Sequence, residues 1–285
     1  MRLVSFIVTV CLAAGHASAQ IAFEDESNPS FDEFSRQNST VLEMIEPDAE
    51  NEVGQSVGNG QVVDPRLFQG VLRMRTGGTC TASLIGPAVI LIAAHCVQED
   101  RRIAFVAGNL RVAGLCVISP TYNPVRHHDD WALCLLERRV SEGTVTFETV
   151  DISSRPAEGA SVALTGYGCT FRGGPLDGRL RIGFSTVVDR PAGFRREPSA
   201  IFTESDVVQG EAFLCPGDSG GPLFVMGDDA SGPRRIVGVN SRPTFEYGVS
   251  IFSALSSPSG AQFIREFASS TNEQICGVNR ELGCK

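Results

Sequence analysis

Beyond an apolar run from Leu3 to about Ala14, this chain of 285 residues has no stretch approaching the ~18 uncharged residues that a membrane-crossing helix needs. The first run is itself too short to span a bilayer. Histidine is scarce, with four in all, and no cysteine pair shows the Cys-x-x-Cys spacing of a structural zinc site. No metal and no cofactor is therefore expected. Basic residues are also outnumbered, 24 against 33 acidic, and the formal charge is −9. That charge is uneven: ten acidic residues and only Arg36 on the basic side lie between Gln20 and Ser56, so this segment alone carries −9. With Arg2 also set aside the remainder is near −1, and nothing in it points to a nucleic-acid or membrane partner.

What is present begins with Met1-Arg2, the apolar run, and Ala17-Ser18-Ala19, which together read as a secretory signal peptide over 1–19. The expected location is extracellular or periplasmic. Residues 20–56 are acidic, rich in Ser, Asn and Gln and without sustained periodicity, which suits a pro-segment better than a packed domain, with a solubilising tail as the alternative. Apart from Cys11 in the leader, eight cysteines remain, an even number that in an exported chain argues for four disulfides.

Short apolar or alternating runs follow, among them Thr81–Ile85, Ala88–Ile92, Ile103–Val106, Arg111–Ile118, Trp131–Leu136, Leu180–Val187, Ile236–Val239 and Val249–Phe252, punctuated by Gly, Pro, Asp and Asn. Many short strands at close spacing predict an all-β, antiparallel sandwich or barrel. Phe263, Ile264 and Phe267 sit at helical spacing near the C-terminus and predict a short helix over about 259–268, with a tail over 269–285.

Three stretches carry the chemistry: Leu91-Ile92-Ala93-Ala94-His95-Cys96, Asp130-Trp131-Ala132-Leu133, and Gly217-Asp218-Ser219-Gly220-Gly221-Pro222. They supply an imidazole, a carboxylate and a hydroxyl, the set that turns a serine into an acylating group at neutral pH. On these residues the chain, over roughly 61–268, resembles the trypsin/chymotrypsin family of serine endopeptidases. The resemblance implies two six-stranded antiparallel β-barrels with a short C-terminal helix: a peptidase domain over 57–268, the barrels covering about 61–155 and 156–258. It implies a His95, Asp130, Ser219 triad and an oxyanion hole from the amides of Gly217 and Ser219. His127 and His128, in the polar turn 123–130, read as solvated loop residues, and Asp129 as the exposed neighbour of Asp130. An esterase of the α/β-hydrolase type would need Ser before Asp before His in the chain, and that order is absent.

The resemblance also implies a Cys80–Cys96 disulfide beside His95. The usual partner of Cys215 is missing, so Cys169 is its best mate, and elimination leaves Cys116–Cys134 and Cys276–Cys284; a Cys215–Cys276 link is the competing arrangement. Asp218 is implied to form an activation ion pair with a new α-amino group, which calls for an activating protease. No basic residue followed by Ile-Val-Gly-Gly is present, however, so the start is expected between Val53 and Val63 and the processing enzyme is not trypsin-like. The specificity pocket is expected to use Phe213, Leu214, Ser241, Pro243 and Gly248. Phe213 stands where trypsin-like members place an aspartate, so cleavage after Lys or Arg is expected to be poor. Arg242 and Pro243 stand where Trp and Gly are usual; Arg242 reads either as a site for an acidic substrate group or as a solvated arginine. The function expected is a secreted serine endopeptidase made as a zymogen and acting on protein or peptide substrates. The alternative is a protease-fold binding protein with weak or no activity.

Overall fold

Val89, Leu91 and Leu133 belong to one apolar cluster and their chain neighbours Ile90, Ile92, Ala132 and Cys134 to another, so consecutive residues serve opposite faces. This is why these strands read as continuous apolar runs: both faces are covered. A computed structural model describes residues 57–285 apart from 142, 172, 207–208 and 228–232. The signal peptide and the acidic segment lie outside the described residues.

Six strands close the first barrel in the order β2-β3-β4-β7-β6-β5. They are β2 (Val71–Met74), β3 (Thr81–Gly86), β4 (Val89–Ile92), β5 (Ile103–Ala107), β6 (Leu110–Ile118) and β7 (Ala132–Leu136). A second ring runs β9-β10-β11-β14-β13-β12 and closes through the β10–β9 and β12–β9 pairings. Its members are β9 (Ser161–Gly166), β10 (Arg181–Val188), β11 (Ala200–Glu204), β12 (Pro222–Val225), β13 (Arg235–Thr244) and β14 (Val249–Ala254). The molecule is thus all-β with two rings of strands and one C-terminal helix, and no helix among the described residues is long and apolar enough to cross a membrane.

Two short strands depart from the expected division near residue 155. β1 (Gln61–Val62) pairs with β10 and β8 (Thr149–Val150) pairs with β13, so both join the second sheet. For β1 the cause lies just upstream, where Val57 is buried in the interior of the second ring beside Leu214, Leu223 and Phe252. The cluster between the rings gathers Leu91, Trp131, Leu133, Phe224, Ile236 and the helix residues Phe263, Ile264 and Phe267. The helix α1 spans Pro258–Thr271, a little beyond the expected 259–268 at both ends. Ser257 caps it by accepting from the Gly260 amide, Pro258 opens the first turn, and Asn272 ends it in the left-handed region.

Candidate active site

The site forms where the two rings meet, and its geometry is organised by one carboxylate. Asp130 is fully buried two residues before β7. Its Oδ2 accepts from His95 Nδ1 at 2.7 Å and from the Ser241 hydroxyl at 2.6 Å, while Oδ1 accepts from the His95 amide at 3.0 Å. The Asp130 amide donates to the Ser253 hydroxyl at 3.0 Å. One residue of the first barrel is thereby held by β13 and β14 of the second. Burial pushes the Asp130 carboxyl up, but hydrogen bonds from His95 and Ser241 and the charge of His95 outweigh it, and the net position is below the ordinary value.

His95 sits on the 3-10 turn Ala94–Cys96 that follows β4, anchored by the Cys80–Cys96 disulfide to the start of β3. Its side chain keeps 24% of its surface exposed, so the edge of the ring away from Asp130 is reachable. With Nδ1–H donating to Asp130, Nε2 is left as an acceptor.

Ser219 lies on the turn before β12. Gly217 and Gly220, on either side, have φ of 104° and 83°, a backbone region that residues with a β-carbon rarely enter. The turn is stitched to the His95 hairpin: the Thr81 amide donates to the Ser219 carbonyl at 2.8 Å and the Thr81 hydroxyl to the Gly217 carbonyl at 2.9 Å. The Ser219 hydroxyl donates to the Ser241 carbonyl at 3.4 Å, and among the described residues no hydrogen bond joins it to His95. Ser241 therefore contacts Ser219 through its carbonyl and Asp130 through its hydroxyl. Neither the Gly217 nor the Ser219 amide donates a hydrogen bond to any described residue.

Asp218 points the other way, into the second barrel, and is fully buried. It accepts from the amides of Gly168 (2.8 Å) and Cys215 (3.0 Å) and from the backbone of Val57. A β-carbon on Gly166 or Gly168 would come within 2.2 or 2.5 Å of its carboxylate, so only glycine leaves room for it. Burial pushes its pKa up to about 7 despite those amides. Val57 itself has φ of 42°, an outlier for a β-branched residue.

The structure joins Cys80 to Cys96, Cys116 to Cys134, Cys169 to Cys215 and Cys276 to Cys284. Phe213 is buried and bridges Gly58 through two backbone hydrogen bonds of 2.8 and 3.0 Å, its ring edge-on to Phe245. The Leu214 amide donates to the Ser250 hydroxyl, Pro243 pairs with Ser250 on the β13–β14 ladder, and the space around Gly248 is open.

Three residues differ from the sequence reading. His127 is not a solvated loop residue: its ring packs edge-on against His95 at 5.6 Å and its Nδ1 lies 3.2 Å from the Tyr122 hydroxyl. Burial moves the His127 pKa down. Asp129 is 9% exposed, buried by the left-handed turn that sets up Asp130. Arg242 is neither free for substrate nor solvated; it binds Glu197 at 2.9 and 3.1 Å and the His127 carbonyl at 2.7 Å. Glu197 itself was missed, as was Ser253, since neither lies in a motif.

Comparison with known proteins agrees with this architecture. A sequence profile described as Trypsin matches residues 57–250. Chymotrypsin-C of Bos taurus is 28% identical over 173 residues, covering 54% of this chain and 64% of its own length. Kallikrein-4 of Homo sapiens is 28% identical over 186 residues (59% and 72%), and chymotrypsin-like elastase family member 3B of Homo sapiens 28% over 191 (57% and 67%). The match thus spans just under two thirds of the length of chymotrypsin-C. With the profile covering more than half of the chain, over the same residues that build both rings and the site between them, the chain belongs to the trypsin family.

Proposed function

We propose that this chain is the precursor of an exported serine endopeptidase that cleaves peptide bonds through an acyl-enzyme. The observation that carries the reading is the 2.7 Å bond between His95 Nδ1 and the buried Asp130, with Ser219 held beside it by the two-sided contact of Ser241. In this reading the Ser219 hydroxyl turns from the Ser241 carbonyl to His95 Nε2 when substrate binds, since catalytic hydrogen bonds in unliganded proteases are commonly long. Ser219 Oγ attacks the scissile carbonyl and its proton passes to His95. Asp130 holds the tautomer and stabilises the imidazolium. The amides of Gly217 and Ser219, both without an internal acceptor, take the oxyanion. His95 then returns the proton to the leaving amine, and water repeats the sequence on the acyl-enzyme. Four disulfides suit an oxidising, exported setting.

Activation follows from Asp218. Its hydrogen-bond donors are all backbone amides, and the nearest cation, Arg181, acts on it only through space while pairing with Asp177, so no cation contacts this buried carboxylate. Cutting after Ser56 would turn the Val57 amide, already bonded to Asp218, into an α-ammonium. The same cut removes the peptide bond that imposes a left-handed φ on Val57, and the family match begins at this residue. The start range of Val53–Val63 thereby narrows to Val57, and the activating protease is one that accepts serine before the cut. Phe213, Leu214, Ser241, Pro243 and Gly248 remain the proposed pocket, with no counter-charge for Lys or Arg.

Two measurements test this. A fluorophosphonate probe should label processed protein and spare Ser219→Ala; equal labelling of both, or of neither, defeats the catalytic reading and leaves a protease-fold binding protein. Active material should begin Val-Gly-Asn-Gly, and a start at Gln20 would defeat the activation reading.

A further inference from the structure

We infer that the leaving-group side of the cleft selects substrates with acidic side chains shortly after the scissile bond, and that Arg73 and Arg75 are the residues that read them. This rests on the endopeptidase reading above and extends it to a substrate class. Ser241 and Pro243 lie on the strand beside Ser219, the side taken by the acyl part of the substrate. On the other side of Gly217 opens a cavity of about 170 Å³, lined among others by Arg73, Met74, Arg75, Thr79, Cys80 and Gly217. A chain whose carbonyl sits at the Gly217 amide leaves over the Cys80–Cys96 disulfide and enters this cavity.

No carboxylate of the described residues lines it. Among the described residues, neither the Arg73 nor the Arg75 guanidinium has a hydrogen bond or an ion pair. Arg75 also lines a second, larger cavity of about 410 Å³, whose rim carries Arg102, Arg111 and Arg138. Among the described residues Glu137 is the only carboxylate there, and Arg102 engages it at 2.5 and 2.9 Å. The two cavities share Arg75, so positive charge continues from the scissile bond outward across the face of the first barrel. Arg242, beside Ser241, is by contrast held by Glu197. Unpaired arginines with no internal acceptor, lining the exit path of a bound peptide, fit a carboxylate from outside.

The test uses processed enzyme and two internally quenched peptides, identical except for Asp or Asn at the second and third residues after the cleaved bond. Active sites are counted by fluorophosphonate labelling. Exposed charge pairs give each arginine about a 1.5- to 5-fold effect, so kcat/KM should favour the Asp peptide about three- to tenfold at low salt. The preference should shrink towards one near 0.5 M salt as screening shortens. Arg73→Gln/Arg75→Gln should remove the preference, Arg73→Lys/Arg75→Lys should keep most of it, and Arg73→Glu/Arg75→Glu should reverse it. Each enzyme is read as its own ratio, so a general loss of activity does not mimic the result. A ratio at or below one in enzyme that labels normally, or a ratio indifferent to both the Gln and the Glu pairs, overturns the inference alone. Failure to label removes the endopeptidase reading first.

Discussion

Glu148 and Asp218 are both carboxylates shut away from water, 1% and 0% exposed, and they are treated in opposite ways. Glu148 lies at the junction of the rings facing Arg234, which donates to it at 2.8 and 2.6 Å. That guanidinium is itself 2% exposed, donates to the Leu67 carbonyl at 2.9 Å and rests over the rings of Phe68 and Phe224 at 4.1 and 5.2 Å. Asp218 is hydrogen-bonded by backbone amides alone, with Arg181 acting on it only through space while pairing with Asp177, and burial moves its pKa to about 7. A buried charge with its partner supplied is a finished structural element, whereas one hydrogen-bonded by neutral donors alone is, on the proposed activation, the group that a new α-ammonium would meet.

The largest effect should come from breaking the finished pair. Arg234→Met leaves Glu148 buried without a hydrogen-bonding cation, with only Lys285 acting on it through space, and should lower stability by about 3–5 kcal/mol in chemical denaturation. An intact midpoint would mean that the pair is more hydrated than its burial implies. At the poised carboxylate the loss should fall on activity: Asp218→Asn, once processed, should retain its fold by circular dichroism but lose about 10² to 10³ in kcat/KM, the scale of a displaced oxyanion donor. Equal activity would separate Asp218 from the site.

The pH dependence sharpens the contrast. In the uncleaved Ser219→Ala precursor, the Asp218 pKa in the folded state lies above its ordinary 3.8, so the folded chain holds the proton more tightly. That stabilisation is complete below about pH 4 and is lost as pH rises through about 7, amounting to about 2 kcal/mol between pH 5 and 7. In the form starting at Val57 the α-ammonium pulls the Asp218 pKa down, so denaturation curves of the two forms should diverge as pH rises. Parallel curves would argue against the ion pair. The smallest effect belongs to a largely buried pair: Glu197→Gln releases Arg242 from one side of the loop that presents His127 and Asp130, and should cost about 1–2 kcal/mol in kcat/KM without altering the pH profile.

Much of the site was legible because its chemistry resides in contiguous residues. Ala94-His95-Cys96, Asp130-Trp131-Ala132 and Gly217-Asp218-Ser219-Gly220 announce themselves, since a tight turn, a half-exposed imidazole and a strand-leading carboxylate each need particular neighbours. The strands were legible as apolar runs, though their sheet membership was not: β1 and β8 are two-residue strands that pair across the ring boundary. His127 is the clearest failure. A polar turn with two histidines reads as solvated, and only the approach of β13 through Arg242 to the His127 carbonyl presses that ring against His95.

The amino-acid order alone established the all-β class, the family and the chemical types at the three motif positions, because those depend on local pattern. Which charges are paired depended on tertiary structure: Arg234 with Glu148, Arg242 with Glu197, Arg73 and Arg75 with nothing among the described residues, and Asp218 with the Val57 backbone. The physical reason is that the free energy of a charge is set by what surrounds it in space, and the partners just named stand 45 to 161 positions apart along the chain.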